Sequence, residues 1–160
     1  MRYSEFLFLF QLISIHQVLT QNVTQERADV CYDNIGCFTN SGPFSVSIAR
    51  PISVLPQAPE VIDTTFYLYT RQNQYYPSTI GYDFDSVYFN PENNVKVIVH
   101  GFIDNAFKTN FQDMKNAFLR AEDLNVIIVD WSSGNKFPYS QSAANTQVVG
   151  AEVRIYLFLS

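Results

Sequence analysis

The sequence predicts an α/β protein, a mostly parallel sheet with helices on its faces. Three observations carry that expectation. VKVIVH (95–100) is a buried strand stopped by Gly101, and residues 110–122 place Phe111, Met114, Phe118 and Leu119 at helical spacing. VIIVD (126–130) is a continuous apolar run of the kind found in central parallel strands. A second helical pattern from about residue 142 to the end, through Val148, Val149, Val153, Tyr156 and Leu157, completes a βαβα order. Such an order implies a right-handed crossover between parallel strands.

The elements follow in chain order. The segment 6–15 is apolar but for Gln11 and Ser14, too short to span a membrane, which takes roughly 20 residues. Its length and the preceding Arg2 fit a signal peptide over 1–20, against the alternative of a buried amino-terminal helix or strand. Residues 21–30 read as a polar mature tail containing the sequon Asn22-Val23-Thr24, so Asn22 is a candidate glycosylation site in the secretory route. Cys31 and Cys37 can close a small disulfide loop in an oxidising compartment or remain two thiols in a reducing one. Residues 31–60 are punctuated by Gly36, Gly42, Pro43, Pro51, Pro56 and Pro59 and read as a lead-in that wraps the core. TTFYLYT (64–70) is a strand, 71–81 a polar loop, and 83–89 a second strand at an edge. The apolar IYLFL (155–159) closes the chain, and a parallel sheet needs strands on both sides of its central one. A truncated domain over 31–160 is the expectation.

Composition excludes several functions. The 160 residues are 47% hydrophobic and 16% charged, which rules out disorder over the whole chain. Net charge is -5 with no basic block, so a phosphate backbone would be repelled and no nucleic-acid partner is expected. Two cysteines make no zinc finger, and no metal site is read from the sequence. No two of the six glycines lie four apart, so there is no G-x-S-x-G; P-loop, G-x-G-x-x-G and H-E-x-x-H are absent too. His16 falls in the signal segment, which leaves His100 as the one histidine of the mature chain.

Two strand ends hold the remaining chemistry. His100-Gly101-Phe102 ends a strand in a glycine turn at the carboxyl edge of the sheet, where such folds place ligands. His100 there suits shaping the backbone better than acting as a general base. Gly101 allows close approach, and Phe102 can offer its N–H to a developing oxyanion and its ring to an acyl pocket. Asp130-Trp131 is the second junction, its carboxylate read as a cap or a salt-bridged structural group. Asp83, Asp85 and Glu92 fit no cation loop and read as a solvated edge.

Several segments, in order, resemble the pancreatic lipase family. They are Val30-Cys31-Tyr32 with Gly36-Cys37-Phe38, Arg50-Pro51, Leu55-Pro56, TFYLYT (65–70), VIVHGFID (97–104), Val129-Asp130-Trp131 and VGAEV (149–153). The resemblance covers about residue 30 to the end. It implies the amino-terminal part of an α/β-hydrolase lipase domain, secreted and extracellular, acting on lipid esters at an oil–water or membrane interface. It implies that Phe102 supplies half an oxyanion hole through its main chain, that His100 and Gly101 support that loop, and that Cys31 and Cys37 are a disulfide. The nucleophilic serine, the acid, the histidine, the lid, any calcium site and any surface for a colipase-like partner fall beyond this chain in that family. The fragment itself is thus expected to hold no cofactor and to be inactive. The alternative is a non-catalytic, lipid-binding or yolk-type relative.

Overall fold

The structure, a computed structural model, describes residues 27–48 and 51–159. The signal segment, Asn22 and Arg50 lie outside the described residues. Strands β1 (Asp29–Tyr32) and β2 (Gly36–Thr39) form a hairpin. After one 3-10 turn at Gly42–Phe44 and an extended run comes a single helical turn, α1 (Pro59–Ile62). Then follow β3 (Thr65–Tyr69), β4 (Ser78–Thr79), β5 (Val95–Val99), α2 (Thr109–Ala121), β6 (Asn125–Asp130) and α3 (Tyr139–Leu159). The main sheet runs in the order β4-β3-β6-β5.

β6 is central because it can be. Residues 125–129 are buried on both faces, and the strand pairs with β3 on one side and β5 on the other. Alternation splits its side chains between two layers. Ile127 and Val129 join Phe66 and Leu68 of β3 and Val148, Val149 and Tyr156 of α3. Val126 and Ile128 face the opposite way, with Tyr69, Ile98 and Leu119. Helices thus cover both faces, as expected.

The sheet is mixed rather than mostly parallel. β5 and β6 are parallel, joined through α2, but β3 runs antiparallel to both β6 and β4. A parallel neighbour needs a crossover, usually a helix, and residues 70–94 contain none. Apolar run and alternation report burial, not direction.

Other expectations shift for local reasons. Residues 83–89 form turns, not a strand: Phe84 and Phe89 turn inward to meet each other, and Phe84 packs edge-on to Tyr156. The edge strand is instead Ser78–Thr79, within the expected loop. The 31–60 lead-in begins with a hairpin that starts at Asp29, in the expected tail. On α2, Met114 is half-exposed and Lys115 is buried. The lysine stem packs inward because its Nζ reaches the Gln74 carbonyl and lies 4.4 Å from the Tyr69 ring centroid. Burial pushes its pKa down. On α3, Tyr156 is buried, stacks on Phe66 at 3.6 Å and donates its hydroxyl to the Ile80 carbonyl at 2.8 Å.

Cys31 and Cys37 sit directly opposite each other in the hairpin and are bonded. Tyr32 anchors that hairpin to the lead-in by donating its hydroxyl to the Pro56 carbonyl at 2.7 Å. Cross-linking so short a loop stabilises by about 2 kcal/mol on the chain-entropy model. A C31S/C37S double variant is therefore expected to lose about 2 kcal/mol in urea unfolding, with the slope against denaturant unchanged.

Candidate functional site

β5 and β6 run parallel, so their carboxyl ends meet at one edge of the sheet, and His100 and Asp130 follow as neighbours. The His100 side chain has no solvent exposure, and that of Asp130 is 12% exposed. His100 Nε2 lies 2.9 Å from Asp130 Oδ1. A proton on that nitrogen would be donated to the carboxylate, whereas Nδ1 lies 3.1 Å from the Gly101 carbonyl, which calls for a proton there instead. The Trp131 amide approaches the same nitrogen at 3.1 Å, and the indole stacks on the imidazole with ring planes 12° apart. The indole Nε1–H donates to the His100 carbonyl at 2.7 Å.

Burial alone would raise the Asp130 carboxyl. Hydrogen bonds from His100 and from the Ser132 amide (2.9 Å) and hydroxyl win, and hold it below the ordinary aspartate range. Asp130 is thus a structural, paired carboxylate. His100 is sealed from solvent, so neither it nor Asp130 is set up to exchange protons with a bound substrate. Ser132 is spent on the Asp130 carboxylate through its amide and hydroxyl.

The loop after β5 is clamped from the β6 side. Asn135, buried in the loop before α3, donates its two amide hydrogens to the carbonyls of Gly101 and Asp104, both at 2.8 Å. The Asn135 main-chain carbonyl accepts the Ile103 amide at 3.2 Å. Ile103 is held at φ 57°, a left-handed turn that these bonds stabilise. The Phe102 amide, by contrast, donates to no group among the described residues. Asn135 is the residue that sequence reasoning missed. A lone Asn in a polar loop carries no periodic signal, and its role exists only once the two strand ends are side by side.

The clamped loop borders a cleft of about 350 Å³ between β5 and α3. Gly101, Phe102, Trp131, Tyr139, Val149 and Gly150 are among its walls. A Cβ on Gly101 would meet nothing within 4 Å, so the main chain lies open on that side. Phe102 packs edge-on to Phe137 and Tyr139 at 5.2 and 5.1 Å, and both partners are exposed. The rim is therefore aromatic and the walls mainly apolar. Asp83, Asp85 and Glu92 are exposed, in the turns and loop between β4 and β5. Among the described residues, no group of three or more His, Cys, Asp or Glu side chains is placed to hold a metal ion. Among them, too, no helix is long and apolar enough to cross a membrane.

Comparison with known proteins bears out the resemblance. Residues 28–159 match the family model described as Lipase. The chain is 38% identical over 132 residues to pancreatic triacylglycerol lipase of Equus caballus, covering 78% of this chain and 28% of that protein. It is equally 38% identical over 133 residues to inactive pancreatic lipase-related protein 1 of Mus musculus, covering 78% of this chain and 27% of that protein. Pancreatic lipase-related protein 2 of Myocastor coypus is 38% identical over 134 residues, with 81% of this chain and 28% of that protein covered. The chain thus spans little more than a quarter of the length of these curated relatives.

Two outcomes check the clamp. N135A strands the Gly101 and Asp104 carbonyls and is expected to cost about 2–3 kcal/mol in denaturant unfolding, whereas G101A, with open space at its Cβ, should stay within about 0.5 kcal/mol of the parent. Because the folded carboxyl of Asp130 is depressed, its contribution is full above the ordinary aspartate value of 3.8 and is lost as pH falls through the lower folded value. Thermal melts across pH 2–6 should show that acid loss in the parent and a shallower one in D130N.

Proposed function

This chain belongs to the lipase family, and on that premise we propose that it is the amino-terminal part of a secreted carboxylic ester hydrolase acting on acylglycerols or phospholipids in lipid catabolism. The observation that carries the reading is the Phe102 amide, left without an acceptor on a loop whose other polar groups are tied down, at the edge of an aromatic-rimmed cleft. Attack of a nucleophile on an ester carbonyl moves charge onto its oxygen. A fixed main-chain donor stabilises that oxyanion without having to reorganise, and losing one such donor typically costs about 3 kcal/mol in the transition state. Phe102, Phe137 and Tyr139 give an acyl chain an apolar wall, and their exposure suits a substrate presented at an oil–water or membrane interface.

His100 and Gly101 act as positioning residues in this scheme. His100 fixes the strand ends, and Gly101 keeps side-chain bulk away from the reacting carbonyl. The remaining half of the hole and the Ser-His-Asp machinery would come from a longer parent, together with any calcium site or colipase-like partner. By itself the 160-residue chain has one donor and no nucleophile to serve. The cysteine bridge, the sequon at Asn22 and the signal-like segment 1–20 support secretion.

A second reading has one observation in its favour. The chain is as similar to a relative named inactive as to a triacylglycerol lipase. The parent would then bind lipid without hydrolysing it, using the same cleft. Transcript sequence beyond the codon for Ser160 separates the two: a G-x-S-x-G elbow followed by an Asp and a His supports the hydrolase, and a replaced serine supports the binding protein.

The purified 160-residue chain is expected to give no ester hydrolysis that a serine-directed inhibitor abolishes; such turnover would overturn the proposal. In an active parent, F102P deletes the donor and should lower kcat by about 10²-fold, while F102A, which keeps the N–H, should change kcat far less.

A further inference from the structure

Asn145 lies in the second turn of α3 with no solvent exposure. A side-chain amide carries two N–H hydrogens and a carbonyl oxygen with two lone pairs. Asn145 uses all four. Its Oδ1 accepts the Gln57 main-chain amide at 2.9 Å and the Gln141 side-chain amide at 3.0 Å. Its Nδ2 donates to Gln57 Oε1 and to the Gly134 carbonyl, both at 2.8 Å. Gln141 Nε2 also reaches the Leu55 carbonyl at 2.9 Å, so the lead-in at residues 55–57 is tied to α3.

The other end of this cluster is the loop of the candidate site. The Gly134 carbonyl belongs to the same planar peptide as the Asn135 nitrogen. Asn145 therefore holds the peptide from which the clamp residue departs. Gly134 is tightly packed there: a Cβ on it would lie 2.8 Å from Ile62 Cγ2 of α1 and 3.3 Å from Asn145 Nδ2. From Asn135 the contacts run on to Gly101, Ile103 and Asp104, on both sides of Phe102. Gln57 decides which way the Asn145 amide faces. Its main-chain N–H needs an acceptor and its Oε1 needs a donor. A flipped Asn145 would set donor against donor at Gln57 and acceptor against acceptor at Gly134. Only the observed orientation serves both ends, and in a buried site a mismatch is not relieved by water.

We propose that Gln57 and Asn145 are positioning residues for the Phe102 amide: the lead-in sets the loop after β5 through Asn145, Gly134 and Asn135. The use to which the Phe102 amide is put rests on the oxyanion reading above, and the relay itself does not.

The test is amide hydrogen exchange on the full chain, disulfide intact, comparing Ile103 with Ile128 of the central strand. Ile128 reports the stability of the whole fold, and Ile103 the local opening of the loop. N145A is expected to speed exchange at Ile103 by about ten-fold relative to any change at Ile128. Q57M, which removes one acceptor and keeps the main-chain donor, should speed it by about five-fold, and Q57E, which keeps an acceptor oxygen, should stay within about two-fold of the parent. Gln57 is half-buried, so its two variants test the relay even where N145A unfolds. In an active parent, Q57M should also lower kcat by about five-fold with KM unchanged. Faster exchange at Ile103 without that fall would count against the oxyanion reading and leave the relay standing. The relay is overturned if Q57M leaves Ile103 within about two-fold of the parent, if Q57E speeds it as much as Q57M does, or if Ile103 and Ile128 accelerate alike.

Discussion

The buried pairing of His100 with Asp130 is the constraint on which the candidate site depends. It joins the ends of two adjacent parallel strands through side chains 2.9 Å apart, His100 sealed from solvent and Asp130 largely so. Breaking such a pair by removing one partner is far costlier than forming it is rewarding. Its main effect is therefore to define one arrangement of the strand ends. Trp131 closes the pair from above through its indole, and Asn135 extends it along the loop to Gly101 and Asp104. Every polar main-chain group used in the clamp is one fewer available to a ligand, and Phe102 stands out by contrast.

That arrangement gives so plain a sequence as H-G-F a defined geometry. A glycine after a strand is commonplace. It acquires meaning when a histidine behind it is locked, the chain turns left-handed at Ile103, and the intervening Phe102 amide is left without an acceptor among the described residues. The aromatic residues at the rim come from two separate loops, after β5 and before α3, and they meet because β6 is central.

Much of this was legible in the sequence. The strands at 95–99 and 125–130, the helix at 109–121 and the long closing helix all follow from hydrophobic period, and each lies within a few residues of its expected place. So did the standing of His100 as a satisfied interior residue and of Asp130 as a paired one. Strand direction was not legible, because burial looks alike in parallel and antiparallel neighbours; β3 turned out antiparallel. Nor were the polar latches. Asn135 and Asn145 are buried in the fold, and Asn145 ties α3 to Gln57 and to the Gly134 carbonyl, yet each is a single amide in a polar stretch. The hairpin at 29–39 was hidden by its short strands and by turn residues that read as irregular chain. Glu152 went unnoticed inside a helical stripe, since nothing local marks a carboxylate as buried.

The most direct measurement is amide hydrogen exchange at Phe102 and Ile103 in the purified chain, each corrected for its intrinsic rate. The two are adjacent, but only Ile103 donates within the clamp, to Asn135 at 3.2 Å. The account requires Phe102 to exchange at least about ten-fold faster than Ile103, as an unengaged donor beside a bonded one in the same loop should. Equal protection at the two positions, or stronger protection at Phe102, would mean that its N–H is already spent within the fold, and the loop would then have no donor to give.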